Sequence, residues 1–321
     1  MKKKVAIVAG GDQSEVVVSL KSANGLLSFM DKDKYDVYIV TVIGGNWEVE
    51  YNNEKYPIDK NDFSFTVGQE KINFDYAYIT IHGTPGEDGK LQGYFDLIKM
   101  PYSSCGVLAS ALTYNKFTCN TYLKNFGIPV AKSLRLRNIN DYTEQEIIDT
   151  VGLPCFIKPN DGGSSFGVTK VKTQDQISFA LKKAFEEGAE VVVESFMQGT
   201  EITCGIYRAG GKTTVFPITE VVSENEFFDY DAKYKGQVKE ITPARIPEEV
   251  ANVVRKQTEK IYNIIGAHGI IRVDYIITND NVVNLLEVNT TPGMTPTSFI
   301  PQQVRAAGLN IGDVLSEIIE G

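Results

Sequence analysis

Two strand-like runs near the carboxyl end of the chain constrain its fold more than any other segment. They are the two halves of GIIRVDYIITNDNVVNLLEVNTTPG, and the sequence Asn279-Asp280-Asn281 between them predicts a hairpin turn. If the tight turn centres on Asp280-Asn281, Asp274 lies opposite Glu287. Arg272 then lies opposite Asn289. Because side chains alternate along a strand, all four share one face, and a slip of one residue would scatter them.

Two carboxylates and an amide oxygen on one hairpin face are a ligand set that suits magnesium. Mg²⁺ prefers octahedral oxygen coordination and commonly shares it with nucleotide phosphates. The pattern therefore indicates Asp274, Glu287 and Asn289 as metal ligands, with Arg272 beside them to stabilise an anion. The alternative is a charged, solvated hairpin face. The flanking isoleucine, valine and leucine residues favour a buried sheet, in which idle carboxylates would be costly.

A second candidate site is FIKPNDGGSSFGVTKV, where Lys158 ends a strand-like run and a glycine-rich loop follows at residues 162–167. Glycines let backbone amides approach phosphate oxygens, and the lysine supplies charge. Because the lysine precedes the glycines, this is not a Walker A loop. Taken alone, the pattern is equally compatible with a plain hairpin loop. Lys116, within LASALTYNKF, is either a second phosphate lysine or a surface residue.

Two further segments have the composition of binding loops. EVVVESFMQGTEITCGIY joins two strands through residues 195–197, whose free backbone groups are expected to hydrogen-bond a purine base between Glu194 and Glu201. An ordinary polar connector is the alternative. HGTPGEDGKLQG has five glycine or proline residues, which predicts a structured, functional loop. His82 in that loop lacks metal-ligand spacing to the other histidine, so we expect it to make a structural hydrogen bond.

Composition excludes several classes of function. With 321 residues and 42% hydrophobic content, the chain can build two or three cores, and its net charge of −9 disfavours a nucleic-acid binder. The first apolar stretch ends at residues 10–12, too short for a secretory or membrane-spanning segment. Four scattered cysteines predict reduced thiols rather than disulfides or a zinc site. We therefore expect a cytoplasmic protein with no nucleic-acid or membrane partner.

The order of strand-like and helical runs predicts three units of α/β and α+β class. Alternation of VAIVAGG, YDVYIVTVI and YAYITIHG with a helix near residues 15–30 predicts an α/β domain of parallel strands over residues 1–103. A smaller α+β unit is expected over residues 104–197, beginning with a helical region that ends at Gly127-Ile128-Pro129. A third unit is expected over residues 198–321.

In combination, these segments closely resemble the D-alanine–D-alanine ligases of the ATP-grasp superfamily. The match runs nearly end to end, through GGDQSEVVVSLKSA, HGTPGEDGKLQG, GVLASALTYNK, FIKPNDGGSSFGV, DYDAKY, RVDYI, LLEVNTTPGMTPTSF and RAAGL. The resemblance implies a three-domain ATP-grasp fold whose N-terminal domain has a doubly wound, Rossmann-like parallel sheet. It also implies ATP held between the other two domains, two Mg²⁺ (or Mn²⁺) ions and a homodimer.

The resemblance further implies roles for individual residues. The substrate-facing set comprises Glu15, Ser164, Tyr234, Arg272, Gly293 and Ser298. The nucleotide-contacting set comprises Lys116, Lys158, Ser164, Ser165, Glu194, Phe196, Met197, Glu201 and Lys233. The metal set comprises Asp274, Glu287 and Asn289. Glu15 would hold the ammonium of the first D-alanine and Ser298 the carboxylate of the second, while Lys233 and Tyr234 would close over the site.

The implied reaction begins with phosphorylation of one D-alanine carboxylate by ATP, and the amine of the second D-alanine then attacks the acyl phosphate. Arg272 and the Gly293 amide would stabilise the tetrahedral oxyanion. Three segments depart from the family pattern. Residues 16–18 are all valine where relatives often carry charge. Phe299 stands where leucine is common, and we expect it to narrow the second subsite. Residues 160–163 replace a loop that is more polar and often charged in relatives.

Three other functions compete with this interpretation. The product could instead be D-alanyl-D-lactate or D-alanyl-D-serine, although Tyr234 beside Lys233 favours the dipeptide. A noncatalytic nucleotide-binding scaffold is disfavoured because the residues that chemistry needs are all present, namely Lys158, Arg272, Asp274, Glu287 and Asn289. A nicotinamide dehydrogenase is disfavoured because AGGDQS lacks the GxGxxG fingerprint.

Overall fold

The computed structural model describes residues 2–12, 15–162, 167–223 and 238–321. The strands are β1 (Lys3–Gly10), β2 (Tyr35–Ile43), β3 (Asn46–Tyr51), β4 (Glu54–Pro57), β5 (Ser64–Val67), β6 (Glu70–Asn73), β7 (Tyr76–Ile79), β8 (Ser133–Leu136), β9 (Cys155–Pro159), β10 (Thr169–Val171), β11 (Val191–Ser195), β12 (Gly199–Ala209), β13 (Lys212–Val215), β14 (Thr219–Ser223), β15 (Val238–Ile241), β16 (Ile271–Thr278) and β17 (Val283–Asn289). The helices are α1 (Val16–Phe29), α2 (Lys90–Ile98), α3 (Val107–Tyr114), α4 (Lys116–Lys124), α5 (Glu144–Val151), α6 (Ile177–Glu187), α7 (Glu248–Ile264), α8 (Phe299–Ala306) and α9 (Ile311–Glu320).

The N-terminal sheet has the order β4-β3-β2-β1-β7. Strand β1 runs parallel to both β2 and β7, whereas β3 and β4 add antiparallel strands at one edge. Both faces of β1 are buried. Val5 and Ile7 pack with α1 and α9, and Ala6 and Val8 pack with an aromatic cluster that includes Phe63. The predicted α/β class with parallel strands is thus confirmed for β1, β2 and β7, and burial of β1 on both faces is typical of such sheets.

The central sheet has the order β10-β9-β11-β8 and is antiparallel. Ile157 of β9 and Val193 of β11 face the core formed with α5 and α6. Alternation along the strands therefore puts Lys158 and Glu194 on the opposite face. The helices thus cover one side of this sheet and leave its charged side for a different neighbour.

The C-terminal sheet has the order β15-β14-β12-β16-β17, with β13 paired to β12. One face packs on α7 through residues such as Val273 and Tyr275. Arg272 and Asp274 alternate with these and lie on the other face. Helices α3 and α4 also pack against β17, although they fall in the range predicted for the central unit. The three predicted domain ranges remain a prediction.

Two helical regions differ in detail from the prediction. The region LASALTYNKFTCNTYLKNFG breaks at Asn115, whose side chain accepts a hydrogen bond from the Thr118 N–H and so begins α4 as a new helix. The C-terminal helical region also divides, because Gly308 has φ +72° and ends α8, and Asn310 then caps α9. Within the described ranges, no helix combines the length and apolar character needed to cross a membrane.

Candidate active site

The hairpin of β16 and β17 forms the centre of the site. Arg272 pairs with Asn289 and Asp274 pairs with Glu287, as predicted. The predicted turn is wrong: Thr278 N–H donates to Val282 O (3.0 Å) around a loop of residues 279–281. A bulge between Asp274 and Tyr275 shifts the register by one residue. The bulge offsets the longer turn, so the predicted pairs form for a different structural reason.

Asp274 is buried within a dense set of hydrogen-bond donors. Arg272 donates from Nε to Oδ1 (2.9 Å) and from Nη2 to Oδ2 (2.8 Å). Thr203 Oγ1 donates to Oδ1 (2.5 Å), and Asn289 Nδ2 donates to Oδ2 (3.1 Å). Burial opposes the charge on Arg272, but the adjacent Asp274 carboxylate outweighs it and raises the Arg272 pKa. The guanidinium therefore stays cationic and fixed, with its carbon 5.3 Å from the Phe299 ring centre.

Both predicted phosphate lysines approach carboxylates on neighbouring elements. Lys158 Nζ lies 2.6 Å from Glu194 Oε2 in a buried pair, and Asn120 Nδ2 also donates to Glu194 (3.3 Å). Burial lowers the Lys158 pKa, but Glu194 outweighs this effect and raises it. Lys116 Nζ lies 4.0 Å from Glu287 and donates to the Gly162 carbonyl. We call Lys116, Lys158, Glu194, Asp274 and Glu287 the lysine cluster.

The predicted base-binding connection has fewer open backbone groups than expected. Ser195 N–H donates to Lys132 O (2.9 Å) and Phe196 N–H donates to Pro154 O (3.2 Å), so these two groups are already used. The Phe196 ring instead provides a surface, with the Phe156 ring 6.0 Å away and Lys170 Nζ 4.0 Å from its centre. Met197 is half-buried beside it, and Glu201 lies on β12 opposite Val221.

Glu15 is the N-cap residue of α1, on the segment that follows β1, and is buried. Its loop is supported by Ser19 rather than by the three valines. Ser19 Oγ accepts from Gly10 N–H (3.0 Å) and donates to Thr80 O (2.8 Å). These bonds tie the start of α1 to the ends of β1 and β7, so Glu15 has a fixed backbone position despite the departure at residues 16–18.

Two residues beside Glu15 were not predicted as functional. His82 Nε2 is buried and has no hydrogen-bond partner among the described residues, so the structural hydrogen bond expected for this histidine stays a prediction for Nδ1 alone. Burial lowers the His82 pKa and Arg272 lowers it further, against an opposing effect of Glu15. Glu87 accepts from Gly83 N–H (2.8 Å), and its pKa is raised to about 7 by burial and by Glu15. We call Glu15, His82 and Glu87 the Glu15 cluster.

The strand order explains why sequence patterns did not reveal the Glu15 cluster. Glu15 follows β1 and His82 follows β7, and these parallel strands are neighbours in the sheet. The carboxyl ends of adjacent parallel strands meet at one edge, where ligands commonly bind. The functional composition of HGTPGEDG was visible in the sequence. Its position beside Glu15 depended on a strand pairing that local patterns do not specify.

The loop from Gly293 to Ser298 lies between the N-terminal and C-terminal sheets. Ser298 Oγ accepts from Thr295 N–H (3.1 Å), and a Cβ on Gly293 would lie 2.9 Å from that oxygen. Met294 N–H donates to Ser22 Oγ (3.2 Å) on α1. The N-terminal domain therefore holds the loop that carries the predicted oxyanion and carboxylate groups. The remaining predicted residues, Ser164, Ser165, Lys233 and Tyr234, lie outside the described residues.

The donor set of the hairpin suits magnesium in type. Asp274 and Glu287 supply carboxylate oxygens, and Asn289 directs its amide nitrogen toward Asp274, which leaves the amide oxygen facing away. Among the described residues, no group of three or more histidine, cysteine, aspartate or glutamate side chains is arranged to hold a metal. A site of two carboxylates and one amide, completed by nucleotide phosphates, does not require one.

Comparisons with known proteins agree along the whole chain. The family models for the D-ala D-ala ligase N-terminus and C-terminus match residues 4–105 and 122–320. The D-alanine–D-alanine ligase of Bacteroides fragilis is 64% identical, over 100% of this chain and 99% of its own. The Phocaeicola vulgatus enzyme of the same name is 65% identical, with the same coverage of both chains.

Solved structures agree as well. The VanG D-Ala:D-Ser ligase of Enterococcus faecalis matches with a TM-score of 0.87 at 30% identity, covering 100% of this chain and 99% of that one. The D-alanine–D-alanine ligase of Bacillus anthracis complexed with ATP matches with a TM-score of 0.77 at 28% identity, covering 99% and 96%. The chain therefore belongs to the D-alanine–D-alanine ligase family and has its ATP-grasp fold.

Proposed function

We propose that this protein joins two D-alanine molecules to D-alanyl-D-alanine, with ATP converted to ADP and phosphate through a D-alanyl phosphate intermediate. The observation that carries the proposal is the meeting of the lysine cluster and the Glu15 cluster on either side of Arg272. The 64% identity to an enzyme named for this activity supports it. The reaction would supply peptidoglycan precursor synthesis in the cytoplasm.

The lysine cluster supplies what phosphoryl transfer from ATP requires. A carboxylate is a poor electrophile, so the first D-alanine must be activated by the terminal phosphoryl group. Lys116 and Lys158 offset negative charge on the phosphates, and Phe196 offers an aromatic face to the adenine base. Asp274, Glu287 and Asn289 would hold two Mg²⁺ or Mn²⁺ ions, which when bound neutralise phosphate charge.

The Glu15 cluster supplies what peptide-bond formation requires. Glu15 holds the ammonium group of the first D-alanine. The positive charge of that group would favour the ionised form of Glu87, whose pKa is raised by burial and by Glu15. Ser298 at the start of α8 binds the carboxylate of the second D-alanine. When its amine attacks the acyl phosphate, the oxyanion develops between Arg272 and the Gly293 amide, and phosphate leaves. Exclusion of water protects the acyl phosphate during this step.

We also propose that the protein is a homodimer with helices α2 and α3 at the interface. Leu97 on α2 is 84% exposed and Leu108 on α3 is 79% exposed. Val107, at the start of α3, faces Gly89 and Gly93, so the two helices pack side by side. Large exposed leucines on adjacent helices are typical of a surface covered by a second copy. Leu97→Glu would then convert the dimer to a monomer in analytical ultracentrifugation.

The direct test is phosphate release by the purified protein with ATP and magnesium. D-alanine alone should give phosphate and the dipeptide, identified by mass spectrometry. D-serine or D-lactate added with D-alanine tests the alternative products, since VanG is named for D-serine. Phosphate release that requires D-serine or D-lactate as the second substrate would identify the product as D-alanyl-D-serine or D-alanyl-D-lactate instead. No release with any of them would favour a nucleotide-binding scaffold.

A further inference from the structure

Asn160 joins three elements of the site and uses all of its polar groups to do so. It follows β9 and is fully buried. Its backbone N–H and Nδ2 donate to the backbone oxygen and Oε2 of Glu190, each at 2.9 Å. Its backbone oxygen accepts from Lys116 N–H (3.1 Å), and its Oδ1 accepts from Phe117 N–H (2.9 Å). Asn160 thus connects the ends of β9, β11 and α4.

These bonds act on the first turn of α4, where Lys116 is the first residue. The leading N–H groups of a helix have no partner within the helix. Asn115 satisfies the Thr118 N–H locally (2.9 Å), whereas Asn160 satisfies those of Lys116 and Phe117 from another element. Lys158 lies two residues before Asn160 on the same strand end. The same asparagine therefore sets the position of Lys116, at the start of α4, relative to Lys158.

Glu190 determines which way the Asn160 amide faces. Glu190 accepts from Asn160 Nδ2, so Oδ1 must face the Phe117 N–H. Arg137 Nε donates to Glu190 Oε1 (2.8 Å) and fixes the carboxylate from the opposite side. Position 160 therefore needs a side chain of this length that donates to Glu190 and accepts from the Phe117 N–H. Ionised aspartate has the same length but supplies acceptors alone.

We propose that Asn160 is a positioning residue for nucleotide phosphates, which acts by setting the separation of Lys116 and Lys158 through its bonds to Glu190 and α4. The inference rests on the proposed function, because it takes these two lysines as phosphate ligands. A displacement of about 1 Å in a positioned group can cost on the order of 100-fold in rate. The expected defect is therefore confined to ATP and leaves D-alanine recognition unchanged.

The test is a cycle of Asn160→Asp, Glu190→Gln and the double variant. In Asn160→Asp, the new carboxylate would face the Glu190 carboxylate with no hydrogen-bond donor between them. The kcat/KM for ATP should therefore fall about 10- to 100-fold. The KM for D-alanine should change less than about twofold. In the double variant, the glutamine amide donates to the aspartate in reverse. ATP kinetics should then recover to within about threefold of Glu190→Gln alone.

Binding measurements separate positioning from general damage. By calorimetry, Asn160→Asp should weaken magnesium-ATP roughly tenfold and adenosine less than about twofold, because adenosine lacks the phosphates. Thr143→Ala is the matched control, since it removes the cap of α5 in the same unit and should leave both affinities unchanged. If Asn160→Asp is insoluble, Asn160→Ser replaces it, with a side chain too short to reach both partners.

Three results would overturn the proposal: equal weakening of ATP and adenosine, a double variant as impaired as Asn160→Asp, or unchanged ATP kinetics in the single variant. Failure of the proposed function has a different signature. A wild-type protein that binds magnesium-ATP more tightly than adenosine, yet forms no dipeptide, would refute the ligase activity while the binding comparison stays interpretable.

Discussion

The lysine cluster and the Glu15 cluster differ in how their charges are balanced. In the lysine cluster, Lys158 pairs with Glu194 at 2.6 Å, and Asp274 is bonded by Arg272. In the Glu15 cluster, burial and the nearby Glu15 carboxylate raise the pKa of Glu87, and the buried His82 Nε2 has no hydrogen-bond partner within the described structure. We therefore expect an incoming ammonium group to change the charge balance of the Glu15 cluster more than that of the lysine cluster.

The largest expected effect comes from removing charge in the lysine cluster. Asp274→Asn should lower kcat by at least about 1,000-fold, because it removes a carboxylate proposed to bind the metal and the partner of Arg272. Circular dichroism should show that the fold remains. Asp280→Asn, the same change in the exposed turn of the same hairpin, should retain activity. An active, magnesium-dependent Asp274→Asn variant would refute the metal assignment.

A smaller loss is expected when the buried lysine loses its partner. Glu194→Gln leaves Lys158 held by a neutral amide, which should raise the KM for ATP about tenfold and leave the KM for D-alanine unchanged. Steady-state kinetics with each substrate varied in turn measures the difference. If both KM values rise together, the lysine cluster is not a separate nucleotide unit, and the comparison between the two clusters fails.

The Glu15 cluster should respond to pH where the lysine cluster does not. Because burial raises the folded pKa of Glu87 to about 7, its contribution to stability is present below its ordinary pKa and is lost as pH rises through about 7. Between the ordinary pKa of a glutamate and about pH 7, the loss in the free energy of unfolding is at most roughly 3 kcal/mol. D-alanine should therefore raise the melting temperature more at pH 8 than at pH 6.

Two variants sharpen the pH prediction. Glu87→Gln should flatten the dependence of ligand-free stability on pH, since glutamine does not titrate. Glu186→Gln, at an exposed position on α6, should leave it as in the wild type. A pH dependence that persists in Glu87→Gln would assign it to another group.

The smallest expected effect concerns the second subsite. Phe299 contacts the Arg272 guanidinium with its ring, a contact worth about 0.5–2 kcal/mol. Because Phe299 is expected to narrow the second subsite, the smaller side chain of Phe299→Leu should raise the ratio of D-alanyl-D-serine to D-alanyl-D-alanine about three- to tenfold in a competition assay. The KM for ATP should stay unchanged. An unaltered product ratio would remove Phe299 from the subsite.

The sequence predicted those parts of the site in which local patterns are sufficient. Strand alternation placed Arg272 and Asp274 on one face, and the pairing with Glu287 and Asn289 is confirmed. The predicted two-residue turn was wrong because the loop spans residues 279–281, and the bulge after Asp274, which strand alternation does not reveal, restored the pairing. The agreement therefore came from two departures that offset each other.

Contacts between distant segments could not be predicted in this way. Lys116 reaches Glu287 because α4 packs against β17, and Asn160 bonds to α4 from β9. His82 was assigned a structural role because it lacks metal-ligand spacing to the other histidine. Its position beside Glu15 follows from the pairing of β1 with β7, which is a property of the whole sheet.

In the proposed reaction, ATP phosphorylates the carboxylate of one D-alanine before the peptide bond forms. The most direct measurement uses D-alanine labelled with ¹⁸O in both carboxylate oxygens, with mass spectrometry of the released phosphate. If the acyl phosphate forms and the second amine displaces it, each dipeptide made should be accompanied by a phosphate that carries one ¹⁸O atom. Unlabelled phosphate released alongside the dipeptide would contradict the account.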